Sequence, residues 1–259
     1  SRGIPAAVQT VEWIQANCAA GRDLPETIRQ YVQAVHAQGG LEYVLLGGDV
    51  EIVPTRFVQS LYYPPGGATM IPTDLYYAAI DVATWDSNND GVGCQDGVDT
   101  IDYGADAFVG RLPAKDADEV TAMVQKILVY EQEGPASSRV VLGGVGLGTR
   151  GDVFYWTELL HRECIRPFWP GSPFYFTDVY TSWGPDYDVS LENTIEQLDS
   201  GSNLMLMSTH GNKQTWSMET SRVFHAFDLW DARPMRGIPS NVFTNACNTN
   251  WFDFGDSTC

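Results

Sequence analysis

Asn203-Leu204-Met205-Leu206-Met207-Ser208-Thr209-His210-Gly211 decides how this chain is read, together with a second stretch of the same form, Asn241-Val242-Phe243-Thr244-Asn245-Ala246-Cys247. Each is a short apolar run of strand length. Such runs suit central strands of a parallel sheet, which are buried on both faces and so need not alternate apolar with polar residues. Parallel strands end at one edge of an open α/β sheet, and ligand crevices form along that edge. Two strands ending in His-Gly and Ala-Cys therefore put an imidazole and a thiol at the mouth of one crevice. A cysteine nucleophile needs a base brought beside it by the fold. The 37 positions separating the two (247 − 210) leave room for a helix or loop and the next strand. In this pairing Cys247 is the nucleophile and His210 moves the proton. Gly211 lets a substrate approach the backbone, and the amides of Gly211 and Cys247 supply an oxyanion hole. Taken singly, a free cysteine is more often a small buried hydrophobe and a strand-end histidine is satisfied by backbone. Only the coincidence of two strand ends favours chemistry.

The surrounding pattern agrees with such a sheet. Asp23 precedes a helix with Ile28, Tyr31, Val32 and Val35 on one face and Gly39-Gly40 as its stop. Tyr43–Leu46, running into Gly47-Gly48-Asp49, and Asp106–Arg111 read as strands, and Val120, Met123, Val124, Ile127 and Leu128 mark a helix face. That helix ends near Gly134-Pro135, which with Ser137-Ser138 marks a boundary. Beyond it, Val140–Leu142 and Phe174–Tyr180 suit strands, residues 152–166 suit a helix, and Ser190 opens another with Leu191, Ile195 and Leu198. Apolar runs alternate with helical patterns in both halves, so the expected fold is α/β in two stacked subdomains, residues 1–135 and 136–259. The glycine-rich Gly143–Gly148 lacks the Lys-Ser/Thr of a phosphate loop and the GxGxxG spacing, and reads as a strand-to-loop exit. No organic cofactor is implied.

Composition narrows the function classes. The chain has 259 residues, 44% of them apolar, enough for a substantial core. Its net charge of -18, from 33 acidic and 15 basic residues, would repel phosphates and argues against nucleic acid. It suits an extracellular protein that binds Ca²⁺ or cationic peptides. No stretch approaches the roughly 18 to 20 apolar residues that span a bilayer. The chain opens at Ser1-Arg2-Gly3, as a mature form or a fragment would. Cysteines 18, 94, 164, 247 and 259 form neither CxxC pairs nor a dense disulfide framework, and His36, His161 and His225 lack ligand spacing, so zinc is not expected.

Asp86-Ser87-Asn88-Asn89-Asp90-Gly91 matches the first half of a calcium loop, D-x-[DN]-x-[DN]-G. Short oxygen side chains at alternate positions converge on a hard cation, and Gly91 permits the sharp turn. The position that holds Glu in an EF-hand is Gly97, so this is not one; Asp96, Asp99 and Asp102 are the candidates to complete the oxygen set. The other reading of the stretch is a solvated acidic turn.

With those residues quoted, the sequence resembles the gingipain family of cysteine peptidases, relatives of caspases and legumains in clan CD. The His-Gly and Ala-Cys dipeptides carry the resemblance. So do Tyr43–Asp49 with Val53-Pro54, Pro72-Thr73-Asp74-Leu75-Tyr76-Tyr77, the loop at 86–91, and Val109-Gly110-Arg111 with Tyr130-Glu131, in that order along most of residues 3–259. The resemblance implies a caspase-like, mostly parallel sheet flanked by helices. Catalysis would lie in the second subdomain, and the sheet would continue past both ends of this chain. It implies Cys247 as nucleophile, His210 as acid and base, Gly211 with Cys247 as oxyanion donors, a structural calcium held by Asp86, Asn88, Asp90, Asp96 and Asp99, protein or peptide substrates, and a secreted, bacterial, extracellular or cell-surface setting. Gingipains carry an acidic residue where Gly146-Leu147-Gly148 stands in this sequence without one. Asp152 falls roughly where an aspartate selects Arg at P1, so a basic P1 residue is expected.

The leading expectation is thus a secreted cysteine endopeptidase. Two others remain open: a catalytically silent binding or adhesion module on the same calcium-stabilised fold, and an esterase or acyltransferase using the same dyad. The missing carboxylate and the tryptophans at 183, 216, 230 and 251 motivate the silent module.

Overall fold

The computed structural model describes residues 3–59, 70–81, 85–93, 95, 97–99, 103–133, 139–145, 163, 175–180, 189–218, 223–226, 228, 240–249 and 251–252. The chain forms two units, Ser1–Thr121 and Ala122–Cys259. The division falls within the helix Ala117–Glu133 (α4); the expected boundary at Gly134-Pro135 lies outside the described residues, as does the helix expected over 152–166, apart from Glu163.

In the first unit, helix α1 (Val11–Asn17) and α2 (Leu24–Ala37) are both capped by side chains, Thr10 accepting from the Trp13 amide and Asp23 from the Glu26 amide. Strand β1 (Tyr43–Gly47) pairs in parallel with β4 (Phe108–Leu112), Leu46 opposite Arg111. Between them in sequence lie the antiparallel pair β2 (Arg56–Gln59) and β3 (Met70–Thr73) and the one-turn helix α3 (Leu75–Ala78). Ile14, Ile28, Leu46, Val53, Tyr76, Tyr77 and Trp85 form the core.

Four of the stretches that carry the family resemblance in this unit, 43–49, 53–54, 72–77 and 109–111, meet at one buried side chain. Arg111 at the end of β4 donates through Nε and Nη2 to both carboxylate oxygens of Asp74, at 2.7 and 2.8 Å. Its Nη1 donates to the carbonyls of Gly48, at 2.8 Å, and Val53, at 2.7 Å. Tyr77 donates its hydroxyl to the Pro54 carbonyl at 2.5 Å, and burial pushes its phenol pKa well up. A planar guanidinium with five donors suits this junction of two loops and a strand end, where a lysine would reach one acceptor set at a time.

Helix α4 (Ala117–Glu133) leads into the second unit, whose described sheet has the order β11-β7-β5-β6, every pairing parallel. These strands are β5 (Arg139–Gly144), β6 (Tyr175–Tyr180), β7 (Leu204–Ser208) and β11 (Asn241–Asn245). The two central strands explain their own composition. Val141, Met205 and Met207 turn to one face, against Leu198 and Ile195 of α5 (Leu191–Asp199) and against Met218 and Phe224. Val140 and Leu142 turn to the other, with Leu204 and Leu206. Both faces are covered, so neither run alternates. Gly143 and Gly144 belong to β5, and a Cβ on Gly143 would sit 2.8 Å from the Met207 methyl carbon, so this glycine makes room for the neighbouring strand. Residues 146–148 lie outside the described residues. The whole is the mixed α/β, parallel-sheet fold that the sequence leads one to expect. Among the described residues no helix is long and apolar enough to cross a membrane.

Candidate active site

Strands β7 and β11 are neighbours in parallel register, with Ser208 opposite Asn245 at their C-terminal ends. His210 and Cys247 each stand two residues beyond that pair. Adjacent strands run about 4.8 Å apart, and the ladder continues one step further, the Thr209 amide donating to the Asn245 carbonyl at 3.3 Å. Both His210 and Cys247 are exposed.

The chain turns back after His210 into a small antiparallel sheet, β8 (Gly211–Asn212), β9 (Thr215–Ser217) and β10 (Val223–His225). This sheet fixes the histidine's backbone. The Ser217 amide donates to the His210 carbonyl at 2.8 Å, and the Thr209 hydroxyl donates to the Ser217 carbonyl at 2.5 Å. Trp216 and Phe224 stack at 5.2 Å between ring centroids and join the core below. Sequence reasoning did not find this sheet, whose strands of two and three residues show no periodicity.

After β11 the chain turns through Ala246–Thr249, with Asn248 in the left-handed region at φ 58° and the Thr249 hydroxyl donating to the Ala246 carbonyl at 3.1 Å. Gly211 lies directly against this turn. A Cβ built on it would stand 2.6 Å from Thr249 Cγ2, 2.7 Å from Ala246 Cβ and 2.8 Å from the Cys247 carbonyl oxygen. The His-Gly and Ala-Cys dipeptides are therefore in backbone contact, and only glycine permits it. The sequence assigned Gly211 to substrate approach; the structure adds a closer demand, the approach of the cysteine turn itself. Next along each turn, Lys213 places its ammonium 3.7 Å from the ring centroid of Trp251.

Asp152 and the carboxylate-free stretch 146–148 lie outside the described residues, as do Cys94, Cys164 and Cys259; Cys18 and Cys247 are free thiols.

The acidic loop is in the first unit. Asp86 accepts from the amides of Asp90 and Gly91 at 3.1 and 2.8 Å, Asn88 accepts from Asp90 at 3.1 Å, and Asp90 from Val92 at 2.8 Å. The Val92 amide, with side-chain donors from Asn88 and Gln95, holds the Asp90 carboxyl below the usual carboxylate range. Asp99 accepts from the amides of Ser87 and Gln95 at 2.7 and 2.9 Å, drawing the far side of the loop inward. Gly91 takes a φ of 86°, which its position in the turn requires. The donor chemistry fits a hard cation, since each carboxylate keeps further lone pairs. In this conformation, however, the oxygens are turned to the loop's own amides and to Arg22, whose Nη1 lies 3.8 Å from Asp86 Oδ2 and donates to Asn89, and among the described residues no three His, Cys, Asp or Glu side chains form a metal-holding group. Asp96 and Asp102 lie outside the described residues.

A family model described as peptidase family C25 matches residues 1–259. The chain belongs to peptidase family C25. Among solved structures this C25 chain is similar to the complex of Porphyromonas gingivalis RgpB pro- and mature domains, at 18% identity and a TM-score of 0.61, covering 95% of this chain and 50% of that one. It is similar also to the Arg specific cysteine proteinase gingipain R (RGPB), at 17% identity and a TM-score of 0.60, covering 89% of this chain and 46% of that one. The C25 chain thus spans about half the length of these solved chains, and likeness at that identity speaks for the fold. No curated protein matches it.

Proposed function

We propose that this C25 chain is a cysteine endopeptidase working through Cys247 and His210. The observation that carries the reading is the backbone contact of Gly211 with the Ala246–Thr249 turn, at the ends of two adjacent parallel strands. In the proposed reaction the Cys247 thiolate attacks the scissile carbonyl, forming a C–S bond, while the amides of Gly211 and Cys247 face the developing oxyanion. His210, protonated by the thiol, delivers that proton to the departing amine. Water then adds to the thioester with His210 as base, releasing the acid and restoring the thiol. Asp152 is proposed to favour a basic residue at P1, and the loop 86–91 to take up Ca²⁺ as a structural ion outside the reaction.

Labelling of Cys247 by iodoacetamide between pH 5 and 9, read by mass spectrometry, tests the dyad. A histidine-activated thiolate labels rapidly near pH 6 and loses that reactivity in His210→Ala. Labelling that follows an ordinary thiol in both proteins would favour the silent binding module instead. Hydrolysis of fluorogenic Arg and Leu peptides tests the rest: Cys247→Ala abolishes turnover, and equal cleavage of the two substrates would remove Asp152 from the reading.

A further inference from the structure

The two turns that hold His210 and Cys247 are fastened on both sides of these residues. Before them, the Thr209 amide donates to the Asn245 carbonyl. After them, the ammonium of Lys213 lies over the indole of Trp251, at 3.7 Å from the ring centroid. His210 sits between Thr209 and Lys213 on one turn, Cys247 between Asn245 and Trp251 on the other. We propose that Lys213, held on the face of Trp251, is a positioning residue that ties the His210 hairpin to the Cys247 turn and keeps the imidazole within reach of the thiol. This rests on the Cys247–His210 reading above.

An indole face attracts an ammonium through the ring quadrupole, so this contact joins the two turns through side chains alone. The lysine's own base is firm: the Asn212 side chain accepts from the Lys213 amide at 2.7 Å, and the strands on either side of this turn are paired, Asn212 with Thr215 and Gly211 with Trp216. Among the described residues from 189 to 252, Lys213 is the one lysine or arginine.

The test uses the whole chain and the pH profile of Cys247 labelling, which a merely structural contact would leave unmoved. Lys213→Met keeps the stem and removes the charge; Lys213→Arg keeps the cation and stacks on indole. The expected result is that Lys213→Met labels roughly tenfold more slowly at pH 6, because less thiolate forms beside a displaced imidazole, while Lys213→Arg stays within about twofold of wild type. Trp251→Leu should match Lys213→Met, and the double variant should be no slower than either single one, since both remove the same contact. Thermal melts of each variant establish that it is folded. If wild type labels rapidly at pH 6 in a His210-dependent way and Lys213→Met does the same, the positioning role is overturned and the dyad stands. If wild type and His210→Ala label alike, the dyad reading fails first and this one with it.

Discussion

Replacing Gly211 by alanine puts a methyl group where Thr249 Cγ2, Ala246 Cβ and the Cys247 carbonyl already lie, all within 2.8 Å. The backbone of Gly211 is not among the positive-φ glycines, so the cost is steric rather than conformational. Two of the three obstructing atoms belong to the cysteine turn's own frame, Ala246 Cβ and a backbone carbonyl, and neither can swing aside. Gly211→Ala should therefore lose about 1–3 kcal/mol of stability, the usual range for overpacking. It should also lose the pH 6 reactivity of Cys247, because relief requires the two turns to separate. Urea denaturation and iodoacetamide labelling check the two effects independently. A stable variant with undiminished labelling would mean the turn yields without disturbing the dyad. The importance of glycine at this position was legible in the sequence, but only as freedom for a substrate to approach. That a second turn fills the space depends on tertiary approach, which no local pattern encodes.

At the scale of elements, the central strands and the capped helices were the most legible parts. Asp23 and Ser190 announce α2 and α5 because a side-chain oxygen ahead of an apolar stripe is itself the cap: Asp23 accepts from Glu26, and Ser190 from Asn193 at 3.1 Å. Helix α1, the β2–β3 pair and the β8–β10 sheet were not legible, being too short for periodicity to register. Arg111 and Asp74 could be quoted as familiar residues but not paired, since 37 positions separate them and nothing local links them. Their side chains are 5% and 14% exposed. Asp74→Ala should thus cost about 3 kcal/mol or more, leaving a buried guanidinium without its carboxylate, while Asp74→Leu combined with Arg111→Met should cost less than Asp74→Leu or Arg111→Met alone. Denaturant midpoints of the four variants decide it.

Asp23 gives a pH-dependent case at the same scale. Burial pushes its carboxyl up, but the hydrogen bonds from Arg56 and from the Glu26 amide outweigh this and hold it below its ordinary value. A lowered folded pKa contributes stability above the unfolded pKa of about 3.9, and that contribution is lost as pH falls through the folded value. Asparagine caps helices as well as aspartate does, so Asp23→Asn removes the charge and keeps the cap. The variant's stability should fall less steeply than wild type's as pH drops below about 4, with the two curves converging at the acid end. Parallel curves throughout would remove the Arg56 pair from the acid sensitivity of this unit.

For the molecule as a whole, a net charge of -18 on 259 residues means that self-repulsion opposes folding at neutral pH. Screening by salt should raise the melting temperature gradually, and any divalent cation shares in that general effect at equal ionic strength. A specific site adds a further term, because a ligand that binds only the folded chain stabilises it by mass action, about 2.7 kcal/mol when present at a hundred times its dissociation constant. The two contributions separate in one experiment. Melting temperatures are compared in NaCl, MgCl₂ and CaCl₂ at matched ionic strength, for wild type and for Asp86→Asn. Asp86 is the choice because its side chain is 6% exposed and accepts two loop amides, so asparagine keeps one acceptor while removing the charge a hard cation needs. An excess shift in CaCl₂ over both other salts, absent in Asp86→Asn, is expected if the carboxylates of 86–91 turn from their own amides toward an ion. Equal shifts in all three salts would mean that the loop is what its internal hydrogen bonds and the Arg22 pair already make it, a closed acidic turn, and that the chain's charge is otherwise relieved by screening.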